Sequence, residues 1–206
     1  MSAANTDKDI GDFFDRCADK RLMYEFEPEE QEKLKWFFVN WNIRPGQRVL
    51  EPGCGSGRLT QLLAETVGPK GEVYACDLST AMIRLARERR LPPYVHFVEM
   101  STLSIERSDG WFDAVICLNV FPHIMDKSAA LTEFARVLKP AGAIWINHFQ
   151  GREGINRFHH DAAPEVSNHT LPCPHTMRRL LEEGGFELLE VTDNSDAYSL
   201  RARRKD

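Results

Sequence analysis

Apolar positions along the chain follow two alternating periods. Ile10, Phe13, Phe14 and Cys17 fall at i, i+3, i+4 and i+7, one face of a helix. Leu34, Phe37, Phe38 and Trp41 repeat that spacing behind Pro28, a residue suited to a first helical turn. Past Gly46 the pattern changes to short apolar runs bounded by turn residues, near 47–51, 72–76, 94–98, 112–118 and 143–149, which predict strands. Helical spacing fills the intervals near 58–67, 80–90 and 128–138. Strands alternating with helices in this way predict right-handed βαβ units and a parallel sheet. After 149 the pattern lapses into a long irregular stretch. Met177 to Glu183 reads as a further helix, stopped by Gly184-Gly185, and 186–192 with 197–203 read as a closing strand pair. The two helices ahead of the first strand are free to cover a cleft.

The junction of the first strand and its helix carries the chemistry. Val49-Leu50-Glu51-Pro52 runs into Gly53-Cys54-Gly55-Ser56-Gly57, with glycine at every second position, and a second apolar run, Val73-Tyr74-Ala75-Cys76, ends on Asp77. Strand, glycine turn, helix, strand and terminal acid form the half-unit that holds a nucleoside-containing cofactor in doubly wound folds. Glycine lets a ligand approach the backbone and tolerates positive φ. The spacing is G-x-G-x-G, not the G-x-G-x-x-G of dinucleotide sites, which disfavours a nicotinamide-dependent oxidoreductase. Glu51 at the mouth of the turn repels a pyrophosphate and attracts an ammonium or a sulfonium. Asp77 is placed to accept hydrogen bonds from both ribose hydroxyls.

These residues resemble the class I methyltransferases that use S-adenosylmethionine. Glu51 to Gly57 resembles that family's E-x-G-x-G-x-G, and Asp77-Leu78-Ser79-Thr80-Ala81-Met82 its D-x-S-x-x-M. Phe112-Asp113-Ala114-Val115-Ile116-Cys117 resembles its fourth strand, and Glu133 to Gly142 its E-x-x-R-V-L-K-P-G-G. The resemblance spans roughly 44–203 and implies an α/β fold: a doubly wound, mostly parallel seven-stranded sheet with helices on both faces and an antiparallel last strand. It divides the chain into an N-terminal helical cap, 1–42, and an S-adenosylmethionine-binding core, 43–206, with a substrate-pocket insertion near 149–175. It implies that Gly53, Gly55 and Gly57 admit the cofactor to the backbone, with Glu51 under its amino-acid end and Asp77 on its ribose. Leu78, Met82 and Met100 then pack at the adenine, Asn119 lies near the methionine portion, and Tyr24 closes over from the cap. Two positions depart from the pattern. Ser101 stands where many relatives place an acid on the adenine amino group, and Ala141 replaces a common glycine.

Composition narrows the partners. Hydrophobic residues at 42% and charged residues at 28% of 206 describe an ordinary globular domain with chain enough for a core. A net charge of −5 speaks against a broad phosphate-binding face. No Asn/Asp-Pro-Pro-Tyr/Phe motif follows the fourth strand, so neither a nucleic-acid acceptor nor a nucleic-acid partner is expected. Arg84, Arg87, Arg89 and Arg90 read as an exposed helix side. No apolar stretch is long enough to span a membrane, and the N-terminus lacks a signal-peptide core. The five cysteines are scattered, which fits a reducing compartment, so a cytoplasmic protein is expected.

In such sheets ligands sit beyond the carboxyl ends of the strands, and histidines gather there. His148 ends the fifth strand and His123 follows the fourth. His159, His160, His169 and His175 crowd the segment after it, near Asp161 and Cys173. Three readings stand side by side. The histidines form a polar substrate lid; or His148 first, then His159 or His160, acts as general base or orienter, since imidazole titrates near neutrality; or His148, His159 or His160, His169 and Cys173 hold a metal, although their spacing matches no compact zinc pattern. His148, His159 and His160 are the catalytic candidates, and no metal is assigned. Arg152 or Arg157 is placed to clamp a carboxylate, and Phe121, Trp145, Phe149 and Phe158 to wall the pocket.

The expected activity is methyl transfer from S-adenosylmethionine to a small-molecule acceptor by in-line displacement. The alternatives are a cofactor-binding sensor or assembly partner without transfer, and a metal-assisted methyltransferase using the histidine-rich segment. Oligomeric state is open.

Overall fold

The computed structural model describes residues 6–22 and 24–206. Helix α1 (Asp7–Asp19) opens on a capping box: the Thr6 side chain accepts from the Asp9 amide while the Asp9 carboxylate accepts from Thr6. Helix α2 (Pro28–Trp41) begins on its proline and ends at Asn42 in the left-handed region, φ 51°. Then come β1 (Arg48–Pro52), α3 (Arg58–Val67), β2 (Glu72–Asp77), α4 (Thr80–Glu88), β3 (Val95–Glu99) and β4 (Phe112–Leu118). A short 3-10 turn at Phe121–His123 leads to α5 (Lys127–Val137), β5 (Leu138–His148), α6 (Arg152–Asp161), α7 (Pro174–Glu183), β6 (Phe186–Asp193) and β7 (Tyr198–Arg204).

The seven strands form one sheet in the order β3-β2-β1-β4-β5-β7-β6, parallel except for β7, which runs antiparallel to both neighbours. Strand order reverses between β1 and β4, so the crevice of a doubly wound sheet opens at their carboxyl ends. Both faces are covered, because alternate residues of β2 bury on opposite sides. Val73 packs with Leu34, Phe37 and Trp41 of α2 and Leu59 and Leu63 of α3, whereas Tyr74 and Cys76 face Phe134 of α5 and Leu181 of α7. Helix α4 lies against α1 through Met82, Leu85, Cys17 and Ala18. A buried polar chain ties α2 to the sheet: the Trp41 indole donates to Asn147 Oδ1 at 2.8 Å, and the Asn147 amide donates to Ser199 Oγ at 2.8 Å.

Four local expectations change. The fifth strand starts at Leu138 because the chain extends directly out of α5, and Ala141 is held at φ 58°, a region that favours glycine. The stretch 149–175 is not wholly irregular, since it contains α6, whose buried face is only Ile155 and His159. That face is too narrow to leave a helical stripe in the sequence. Arg89 is not on an exposed helix side; its side chain is 8% exposed and donates to the carbonyls of Ser56 and Tyr24. Helix α2 packs chiefly on the sheet face and gives the cleft only Glu30, while α1 lines it with Asp7, Ile10, Phe13, Phe14 and Cys17.

Candidate functional site

The glycine turn is built from three glycines at positive φ, with Gly53 at 67°, Gly55 at 53° and Gly57 at 76°. They serve different ends. A Cβ on Gly53 would lie 2.1 Å from Val120 Cγ2, and one on Gly57 would lie 3.1 Å from Ala86 and the Phe97 ring. At Gly55 a Cβ would meet nothing within 4 Å. Gly53 therefore lets the turn pack against the loop after β4 and Gly57 against α4 and β3, and Gly55 leaves bare backbone in the cleft lining. Gly57 stands outside the cleft lining, so the expectation that all three admit a ligand reduces to Gly53 and Gly55. Gly53→Ala is expected to cost about 2–4 kcal/mol of stability, by clash and by forced positive φ. An unchanged urea midpoint would show that Val120 moves aside freely.

Asp77, the last residue of β2, faces this turn. The Gly55 amide donates to its Oδ2 at 2.8 Å and the Ser79 amide to its Oδ1 at 2.9 Å. Each carboxylate oxygen keeps a second lone pair for a ligand hydroxyl. Burial pushes the Asp77 carboxyl above its ordinary range, and the amide donors counteract it. Glu51 lies deeper, 3% exposed, where the Thr60 hydroxyl donates to its Oε2 at 2.6 Å. Burial raises it to about 8, so Glu51 holds a proton at neutral pH in the free protein. A cation brought beside it would reverse that.

Both acids border one cleft of about 600 Å³. Its first half is walled by Leu78, Met82, Met100 and Ser101. Ser101, where the resemblance leads one to expect an acid, donates its hydroxyl to a carboxylate that arrives from α1, Asp7 Oδ2 at 2.7 Å. Its second half is walled by Asn119, Phe149, Ile155, Phe158 and the histidines 123, 148 and 159. Asn119 sits at φ 55° and accepts from the Phe149 amide at 3.3 Å. Of the proposed aromatic walls, Phe149 and Phe158 line the cleft, whereas Phe121 and Trp145 belong to the core.

The histidines form a cluster. His123 and His169 meet Nδ1 to Nδ1 at 2.9 Å, so one ring donates and the other accepts. His159 donates from Nδ1 to the His169 carbonyl at 2.7 Å, and its ring centre lies 4.7 Å from that of His123. Lys127 fixes the turn that carries His123 by donating to the carbonyls of Pro122 and Ile124, at 3.2 and 2.8 Å. His148 is 3% exposed, and its Nε2 is buried without a hydrogen-bond partner. Burial lowers all four rings: His148 to about 3, His169 to about 4, His159 below its ordinary value and His123 well below it. This wall is therefore neutral at pH 7, which suits an apolar ligand with a hydrogen-bonding edge. Among the described residues, no group of three or more histidine, cysteine, aspartate or glutamate side chains is arranged to hold a metal ion.

Three expected site residues are not brought to the cleft. Gly57 is turned to the core, as above. Tyr24 lies behind the turn, its ring flanked by the guanidinium groups of Arg21 and Arg89 at 5.0 and 4.7 Å. His160 is solvent-facing and paired with Asp161 at 2.9 Å. Successive residues of α6 point about 100° apart, so His159 facing in sends His160 out. Arg152 lies by Asp193 and Arg157 on the exposed side of α6, neither in the cleft lining. Sequence reading missed Asp7, whose partner is remote in the chain, and undervalued His123, which only the 3-10 turn aims inward.

A bare backbone at Gly55 and a ribose-competent acid at the switch point of a doubly wound sheet define a protein built to hold a nucleoside-containing cofactor. Residues 49–142 match the family model described as a methyltransferase domain. The chain is 36% identical over 111 residues to the ubiquinone/menaquinone biosynthesis C-methyltransferase UbiE of Cupriavidus metallidurans, 52% of this chain and 45% of that one. Over that segment the chain is similar to S-adenosylmethionine-dependent methyltransferases. The match spans about half the length of its curated relatives. A SAM dependent methyltransferase from Aquifex aeolicus shares the fold, with a TM-score of 0.70 and 21% identity over 94% of this chain and 97% of that one. So does the [4+2]-cyclase SpnF, with a TM-score of 0.76 and 17% identity over 98% of both chains. The second likeness shows why the reaction has to be argued from the site and not from the fold.

Proposed function

We propose that the chain transfers a methyl group from S-adenosylmethionine to an apolar small-molecule acceptor. The observation that carries this reading is that one cleft is lined both by the acidic glycine turn beyond β1 and β2 and by neutral histidines beyond β4 and β5. The sulfonium supplies an activated methyl carbon, and the chain's own residues position and enclose. Gly55 leaves the backbone open, Asp77 holds vicinal hydroxyls, and Glu51 meets a cationic amine once it gives up its proton. Leu78, Met82 and Met100 hold a flat base by apolar contact. Asn119 lies where the two halves join.

On the other side, Phe149, Phe158 and Ile155 exclude water from the acceptor, which shortens the approach of nucleophile and methyl carbon. His148 orients the acceptor through its unpartnered Nε2. A ring held near 3 is a poor store for a proton but a sound hydrogen-bond partner. His159, and His123 with it, edge the same wall. The relative's name places that protein in quinone biosynthesis as a C-methyltransferase; an acceptor with an apolar aromatic body suits this wall. Among the described residues no helix is long and apolar enough to cross a membrane. The five free thiols suit a reducing cytoplasm, and neither a nucleic-acid nor a membrane partner is invoked.

The test is titration calorimetry with S-adenosylmethionine and S-adenosylhomocysteine, followed by an acceptor screen read as S-adenosylhomocysteine release. Binding of neither ligand overturns the reading, and binding of both without turnover on any acceptor favours a cofactor-binding protein without transfer. His148→Ala is expected to lower turnover by about ten- to a hundredfold while S-adenosylhomocysteine affinity changes by less than about twofold. Full turnover would remove His148 from the acceptor's wall.

A further inference from the structure

Helix α1 contributes a carboxylate to the cleft that the functional reading above does not use. Asp7, the first residue of α1, and Ser101, just past β3, meet across the cleft wall at 2.7 Å. The geometry of that hydroxyl is committed: it donates its proton to Asp7 Oδ2 and accepts from the Leu103 amide at 3.3 Å. Among the described residues, Asp7 Oδ1 takes part in no hydrogen bond. The carboxylate is thus held in place by one oxygen and offers the other.

Its surroundings form a slot. Asp77, Leu78, Met100 and the Asp7–Ser101 pair line the same cleft, and the Met100 amide donates to the Asp77 carbonyl at 3.0 Å. Helix α1 roofs the slot closely, since a Cβ on Gly11 would sit 3.2 Å from the Leu78 carbonyl oxygen. The roof is pinned by Asp15, whose Oδ1 accepts from the Ser79 hydroxyl at 2.5 Å and the Ala81 amide at 3.0 Å. A cleft lined by apolar Leu78 and Met100 and carrying an acceptor-only carboxylate besides Asp77 suits a heterocycle that bears a hydrogen-bond donor.

We propose that Asp7 is the hydrogen-bond acceptor for the exocyclic amino group of the cofactor's adenine, positioned by Ser101, so that base selection is carried by the N-terminal helix. This rests on the S-adenosylmethionine reading. An amino group donates to the carboxylate, whereas the oxo group of hypoxanthine has no proton to donate there and gains nothing from it. Asp7 binds; Ser101 positions.

The experiment compares S-adenosylhomocysteine with S-inosylhomocysteine by calorimetry on the full chain. The unaltered protein is expected to prefer the adenosyl ligand by about tenfold or more. Asp7→Ala should weaken the adenosyl ligand by about that factor and leave the inosyl ligand unchanged, so that discrimination disappears. The Thr6–Asp9 capping box remains in this variant, so α1 keeps its start. Ser101→Ala should fall between. Adding Ser101→Asp to Asp7→Ala returns an acid to the slot and should restore part of the preference. If Asp7→Ala weakens both ligands equally, or neither, the assignment is overturned and Asp7 only docks the helix. If the unaltered protein binds neither ligand, the cofactor reading falls with it, a distinct result.

Discussion

Asp77→Ala is expected to weaken S-adenosylmethionine binding at least tenfold, and the loss should appear almost wholly in cofactor affinity. The carboxylate is asked to hold two ribose hydroxyls by charge-assisted hydrogen bonds, each stronger than a neutral one. Their removal corresponds to roughly 1.5–3 kcal/mol, or ten- to a hundredfold in affinity. Asp77 also fastens the turn, through the amides of Gly55 and Ser79. Alanine leaves both donors without their acceptor, so some stability is lost as well. Asp77→Asn separates the two effects. It keeps a carbonyl oxygen for one amide and a similar shape, so the fold should hold while ribose recognition falls. Unchanged affinity in Asp77→Ala would refute the ribose assignment.

The second large effect concerns Glu51 and pH. In the free protein its carboxyl is raised to about 8 by burial. Beside the cofactor's ammonium the ionised form is favoured, so binding at pH 7 must release about one proton. Affinity is then expected to rise by up to about tenfold per pH unit from pH 6 towards 8. Above that range it turns over, because an α-amino group loses its own charge near 8. The sign for folding is opposite. A carboxyl whose folded value lies above its unfolded one contributes stability that is complete at low pH and lost as pH rises through about 8. Calorimetry in two buffers of different ionisation enthalpy counts the proton directly. Glu51→Gln is neutral throughout, so its affinity should be weaker near pH 8 and nearly flat with pH up to that point. A flat profile in the unaltered protein would place the amine elsewhere.

Much of this architecture is legible in the chain because the signals are local. The strands of the core are buried on both faces, so they read as unbroken apolar runs such as Val73 to Cys76. The glycine turn and Asp77 are short motifs whose spacing is set by one βαβ unit. Helices α1 and α2 announce themselves because each buries a broad stripe. What escaped has an equally definite cause. Helix α6 buries only Ile155 and His159, so periodicity had almost nothing to register. The start of β5 was hidden by Pro140 and Ala141, which read as a turn. Arg89 looks like one charge among several on α4, yet it is drawn inward to satisfy the carbonyls of Ser56 and Tyr24. The partners of Asp7 and His123, Ser101 and His169, lie far away in sequence. No one-dimensional pattern encodes such pairs.

Helix α1 touches both ends of the cleft. Asp7 meets Ser101 at one end, and near the other the Phe14 ring lies 5.1 Å from that of His123. Arg16 reaches further, to Glu165 beyond α6, at 2.5 Å. The same helix thus lines the cleft beside the glycine turn and beside the histidines. In the proposed reaction two chemically unlike molecules would lie under one short amphipathic helix, so a change anywhere along α1 reaches both.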